Sequence, residues 1–229
     1  MDNIETLKKA VTLKLSNYKL YFSKDELPKD LKLPDEWCDF GIRNSSEVWM
    51  PSKWSDYSSK LPVISKWLKE CILGTAIALG DKLYLVYIYA EDNNLRIYLG
   101  GAPLGNESLS LEKYGLSLSL DSFYKQLHDG FFFYVDLSMG PSRLQDFVVI
   151  DDVSEEACCV PELVGFFSNG MGDYIASSAN ESFPGFYIWW HEEQDKPEKE
   201  IDVWAVMDAW MGIFIENSDS NEYIIGSHV

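Results

Sequence analysis

The stretch Phe166-Phe167-Ser168-Asn169-Gly170-Met171-Gly172-Asp173-Tyr174-Ile175 constrains this chain more than any other. An apolar run enters a turn built from Asn169, Gly170 and Gly172, and a second apolar run, Tyr174 to Ala176, leaves it. The polar loop Ser177 to Glu181 then leads through Pro184-Gly185 into Phe186-Tyr187-Ile188-Trp189-Trp190. Aromatic and β-branched residues suit a pleated surface, and Asn and Gly tolerate turn dihedrals, so the pattern predicts consecutive strands. A charged segment, His191 to Asp202, separates them from a final helix. There Val203, Met207, Trp210 and Phe214 share one stripe, Asp202 and Asp208 lie off it, and Asp202 is a candidate N-cap.

Earlier segments read less evenly. Val11 to Leu15 alternates like a strand, and Tyr18 to Phe22 is its expected hairpin partner across Ser16-Asn17. Trp37, Trp49 and Trp54 fall in a loop-rich region, as core anchors or as a binding surface. Pro62 to Gly74 has helical spacing in Val63, Ile64, Trp67, Leu68, Cys71 and Ile72, with Gly74 as the stop. Thr75 to Leu79, Leu83 to Ala90 and Leu95 to Leu99 predict an antiparallel three-stranded meander. A short helix is expected from Leu120 to Leu127, capped by Ser119 or Asp121. Strands are expected at Phe131 to Val135 and Phe147 to Ile150, with Met139-Gly140-Pro141 as a turn between them. The residues from Asn217 to Val229 read as a frayed polar tail.

Charge narrows the partners. The chain of 229 residues has a formal charge of −18. Such acidity disfavours nucleic acid and anionic membranes, because the phosphate term is repulsive, and favours a basic protein partner. No apolar run reaches the length of a bilayer span, and the N-terminus lacks the pattern of a signal peptide, so a cytoplasmic location is expected. Cys38, Cys71, Cys158 and Cys159 fit neither a zinc site nor a disulfide framework.

Catalytic motifs are missing. His191-Glu192-Glu193 would need a second histidine where Asp195 stands to make a zinc-protease motif. His128, His191 and His228 share no spacing, so no metal or cofactor is expected. Gly100-Gly101-Ala102-Pro103 lacks the lysine of a phosphate loop, and no serine sits in a nucleophile elbow. Paired acids such as Asp151-Asp152, Glu155-Glu156 and Glu192-Glu193 read first as solvated surface.

The order of a short helix ending at Gly130, strands, Phe167-Ser168-Asn169-Gly170-Met171-Gly172-Asp173-Tyr174, then Ile188-Trp189-Trp190-His191-Glu192 and a Trp-rich helix resembles the SUKH superfamily. That superfamily includes a yeast cell-wall-synthesis regulator, the Syd-like proteins and many bacterial immunity proteins. The Gly-x-Gly-Asp turn followed by Trp-x-His-Glu carries the resemblance, over roughly residues 107 to 216. The family helix usually begins Leu-Pro; here Ser119 stands where that proline would be, and His128-Asp129-Gly130-Phe131 replaces Asn-Gly-Gly.

The resemblance implies an α+β fold, a mostly antiparallel sheet flanked by helices, and a binding module in place of an enzyme. The expected organisation is an N-terminal α+β extension or subdomain at residues 1–106, a SUKH-like domain at 107–216 and the tail at 217–229. The expected function is neutralisation of a cognate, basic, nuclease-type toxin by steric and electrostatic occlusion. Asp173, Glu192, Glu193 and Asp195 form the expected acidic rim, with an exposed edge of Trp189 or Trp190 as aromatic anchor. A regulatory or scaffolding protein of the same fold is the alternative, and a carboxylate-dependent hydrolase a more distant one.

Overall fold

A β-branched and aromatic run, Tyr84 to Ala90, buried throughout, organises the first part of the chain. It is seen in a computed structural model that describes residues 3–42, 48–106 and 111–221. The first residues of the second expected region, from 107 to 110, and the tail beyond 221, with His228, lie outside the described residues. Described residues fall into two compact units, one drawn from Met1–Ala102 and Phe214–Val229, the other from Pro103–Ile213. Each carries a mostly antiparallel sheet with helices, an α+β fold.

In the first unit the chain runs α1 (Asn3–Lys14), β1 (Lys19–Tyr21), α2 (Pro62–Glu70), β2 (Ile72–Leu79), β3 (Leu83–Glu91) and β4 (Asn94–Gly101). Strands β1 to β4 lie side by side in sequence order, each antiparallel to the next. The meander expected from the sequence is thus present. In β3 every residue from Tyr84 to Ala90 is buried, so it reads as a continuous apolar run, not an alternating one.

Val11 to Leu15 does not form a strand. Leu7, Val11 and Leu15 recur at helical spacing on one side of α1 and its continuation, and Val11 and Leu15 are fully buried while Leu13 faces solvent. Over five residues the helical pattern mimics alternation; over twelve it does not. The partner of β1 is β2, with Lys19 opposite Leu79.

Helix α2 begins with Pro62 in its first turn and buries Ile64, Trp67 and Leu68. It ends at Glu70, and Gly74 lies inside β2, where an added Cβ would come within 2.9 Å of the Ile42 side chain. Trp67 packs edge-on against Tyr89 at 5.0 Å and Tyr98 at 5.5 Å. Trp37 and Trp54 are core anchors, and the Trp54 indole N–H donates to the Tyr87 hydroxyl at 2.9 Å. Residues 217 to 221, expected to fray, are fastened down. The Trp67 indole donates to Ser218 Oγ at 2.9 Å, and Asn221 is buried with its amide donating to the carbonyls of Lys69 and Ile72.

The second unit contains α3 (Leu118–Gln126), β5 (Phe131–Phe133), β6 (Gly140–Pro141), β7 (Val148–Val149), β8 (Val164–Ser168), β9 (Tyr174–Ser178), β10 (Gly185–Trp189) and β11 (Glu198–Lys199). Helix α4 (Val203–Ile215) follows, and its last residues belong to the first unit. The sheet order is β11-β10-β9-β8-β6, with β7 also paired to β8. Gly140-Pro141 is a short strand paired with Ser168 and Phe167, not a free turn. Its Gly140 leaves no room for a side chain against the Phe131 carbonyl.

Ser117, not Ser119 or Asp121, caps α3 by accepting from the Leu120 N–H. Ser119 instead accepts the Trp204 indole N–H at 3.0 Å, and Asp121 accepts from the Leu111 N–H at 2.9 Å. Asp202 caps α4 as expected, accepting from the N–H groups of Trp204 and Ala205. The buried face of α4 is Val203, Trp204, Met207, Asp208, Met211 and Ile215. Asp208 is therefore on the buried side, contrary to the sequence stripe, and Trp210 and Phe214 are half-buried. A helix apolar nearly all round does not mark its own buried side.

Candidate functional site

Strand periodicity sets the two faces of the second sheet. Phe167, Ile175 and Ile188 form one cross-strand row, and Gly165, Ala176 and Tyr187 form another. Trp189 follows the second row. It is 2 % exposed and belongs to a core cluster with Ile150, Val160, Leu163, Ala176 and Tyr187. Trp190 follows the first row, remains half-buried, and packs against Trp210 of α4 at 6.0 Å. Of the two expected anchors, Trp189 is therefore core and has no edge to offer; Trp190 keeps one.

The turn between β8 and β9 is organised by Asn169. Its Oδ1 accepts the backbone N–H groups of Met171 at 2.8 Å and Asp173 at 3.1 Å, and its amide donates to Asp173 Oδ2 at 2.7 Å. Gly170 and Gly172 have φ of 76° and 103°, the left-handed region that glycine enters without cost. A Cβ on Gly170 would lie 2.8 Å from Ser138 Oγ.

Asp173 is buried, not part of an exposed rim. Its Oδ1 accepts the backbone N–H of His191 at 3.0 Å and lies 2.7 Å from His191 Nδ1. Burial by itself would raise the Asp173 carboxyl, but hydrogen bonds from the His191 ring, the His191 backbone and Asn169 outweigh it and hold the group below its ordinary value. The hydrogen bond to Asp173 raises His191 in turn; desolvation opposes it, and the charges of Asp173 and Glu192 add to it.

The acidic connection after β10 is knotted, not loosely solvated. The buried Trp189 indole N–H donates to the Gln194 carbonyl at 3.1 Å. Gln194 Oε1 accepts from Ser154 Oγ at 2.9 Å and the N–H of Glu155 at 2.7 Å, and its amide donates to the His191 carbonyl at 2.9 Å. The Asp195 carbonyl accepts from the Cys159 N–H, and its carboxylate pairs with Lys196 at 3.3 Å. Glu192 and Glu193 are left exposed.

Asp173, Trp190, His191, Glu192 and Glu193 line an open groove of about 480 Å³. Four of the six sequence-predicted residues thus meet at one place; Trp189 supports it from beneath, and Asp195 lies half-exposed farther along the loop. Three residues that hold the site, Asn169, His191 and Gln194, were not among those expected. Asn169 is legible as a turn former, but its reach to Asp173 is not; His191 is legible as a metal or acid/base candidate and as part of the Trp-x-His-Glu motif, but not as the partner of Asp173.

Among the described residues, no group of three or more His, Cys, Asp or Glu side chains is placed to hold a metal ion. Nor is any described helix long and apolar enough to cross a membrane. The arrangement offers carboxylates, one half-buried indole and a clasped imidazole on a preorganised loop, which suits recognition of a cationic surface. No family model matches the chain, and neither a curated protein nor a solved structure matches it.

Proposed function

We propose that this chain is a SUKH-type immunity protein that binds a cognate toxin, a basic one of the nuclease class, and neutralises it by covering its working surface. The observation that carries this reading is the pairing of exposed Glu192 and Glu193 with the half-buried Trp190 around one groove. An aromatic anchor ringed by charge is the composition of an interaction hot spot. The loop that presents it is fixed by Asp173 and Gln194, so little conformational entropy is lost on binding. A charge of −18 steers a basic partner toward it. Nothing in this mechanism needs chemistry. It suits a cytoplasmic protein, and the four cysteines are free thiols.

The test is a calorimetric titration with the toxin domain encoded beside the gene. Tight one-to-one binding with loss of toxin activity supports the reading. Absence of binding overturns it in favour of a regulator of a host protein.

A further inference from the structure

The turn between β8 and β9 packs against the groove around Trp190. Gly172 sits against the His191 ring, where an added Cβ would lie 3.2 Å from Cγ. On the other side of the same turn, Gly170 packs against Asp136 and Ser138 of the connection between β5 and β6. Two adjacent turns therefore extend the surface, and both carry large apolar side chains outward. Val135 is 65 %, Leu137 47 % and Met171 74 % exposed.

The backbone that displays them is strained. Leu137 has φ of 55° and Met139 of 53°, a region that bulky side chains rarely occupy. Asn or Gly would hold the same turn more comfortably. The turn is nevertheless closed firmly. Phe133 N–H donates to the Ser138 carbonyl at 2.8 Å, and buried Ser138 Oγ donates to Asp136 Oδ1 at 2.7 Å. Leu137 also borders a cleft of about 170 Å³, which it lines with Phe132, Tyr174 and Val148; Asp136 stands at its edge, while Asp146 there is paired with Arg143.

We propose that the tips Val135–Leu137 and Met171 form, with the Trp190 groove, one continuous docking surface for a basic protein that inserts an apolar side chain beside Leu137. The occupant is a protein segment in which an apolar residue is flanked by lysine or arginine. Its apolar side chain enters the cleft that Leu137 borders, while its cations meet Asp136 on one side and Glu192 and Glu193 on the other. This rests on the binding reading and adds an apolar centre to the acidic rim, the usual anatomy of a specific interface. An asparagine at 137 would relieve the backbone but remove the apolar contact.

The test uses the full chain and two synthetic peptides, acetyl-Lys-Leu-Phe-Leu-Lys amide and acetyl-Lys-Ser-Ser-Ser-Lys amide, followed by NMR. The expected result is that the apolar peptide shifts the methyl signals of Val135, Leu137 and Met171 together with the Glu192 and Glu193 amides. Its affinity should exceed that of the serine peptide by about tenfold, the effect of one well-placed apolar anchor. Leu137→Asn should abolish that difference while the variant folds at least as stably as the native chain. Met171→Ser, at an exposed position, provides a second check that leaves the left-handed turn unchanged.

Shifts confined to Glu192 and Glu193 with both peptides would overturn the apolar centre and leave the acidic groove standing. No shift with either peptide would overturn both. Broadening of the three methyl signals with protein concentration alone would assign the patch to a second copy of this chain and overturn the proposal.

Discussion

Asp173 holds His191 twice through one oxygen, accepting its backbone N–H at 3.0 Å and meeting its ring Nδ1 at 2.7 Å. The two residues lie on different sides of β9 and β10 in sequence, and their pairing joins the tight turn to the acidic loop. It also couples two titrating groups in opposite directions, Asp173 lowered and His191 raised.

The pair therefore has a predictable pH signature. His191, being raised, contributes stability that is fully present below its unfolded value near 6.5 and lost as pH rises through its folded value. Asp173, being lowered, contributes stability present above its unfolded value near 3.9 and lost as pH falls through its folded value. The contribution of the pair should peak between about pH 4 and 6.5. NMR titration should place His191 above 6.5, and Asp173→Asn should bring it back toward that value. An unchanged titration in the variant would show that the contact is absent in solution.

Asn169→Ala removes the acceptor for two turn N–H groups and the donor to Asp173 Oδ2. The expected cost is about 1–3 kcal/mol of unfolding free energy, because the Asp173 carboxylate stays buried with one fewer partner. Chemical denaturation measures it, and a loss below about 0.5 kcal/mol would be the value for an ordinary surface substitution.

Gln194 ties the acidic loop to Ser154 and Glu155. Gln194→Ala should cost about 1 kcal/mol and speed amide exchange at Glu155, which donates to Oε1 at 2.7 Å. Unaltered exchange at that amide would count against Gln194 as the tie.

Trp67 lies among Tyr89 and Tyr98 and is 4 % exposed. Trp67→Ala should destabilise by about 3–5 kcal/mol, through lost burial, the cavity left behind and the orphaned Ser218 contact. Thermal unfolding measures the effect, and Trp67→Phe should recover part of it.

Charge reversal tests the acidic rim. Glu192→Lys with Glu193→Lys should slow association with a basic toxin at least about tenfold at low salt and flatten its salt dependence, with unfolding free energy nearly unchanged because both side chains are exposed. Stopped-flow association rates at two ionic strengths decide it. An unaffected rate would remove these residues from the interface.

Much of the second sheet was legible in the chain. Asn169, Gly170 and Gly172 announced a turn between apolar runs, and β8, β9 and β10 stand on either side of it and beyond the following loop. The meander of β2, β3 and β4 was legible for the same reason, since Gly80-Asp81 and Asp92-Asn93 punctuate long β-prone runs. Helix α1 was not, because Val11 to Leu15, at its end and just beyond, alternate by coincidence and the pattern that identifies the helix needs its whole length.

The amino-acid order by itself determined an acidic chain with most of its turns and strands and its capped last helix, because these depend on neighbours a few residues apart. It also determined that Trp189 and Trp190 point to opposite sides, since successive strand positions alternate. Which of them is core could only be decided by what packs on each face: Ile150, Val160 and Leu163 enclose Trp189, and Trp210 leaves Trp190 half-covered. Tertiary structure likewise turned Asp173 inward onto His191 and brought the Val135–Leu137 turn beside Met171. Those contacts join residues 18 or more positions apart, as Asp173 and His191 are, and no local pattern records such a distance.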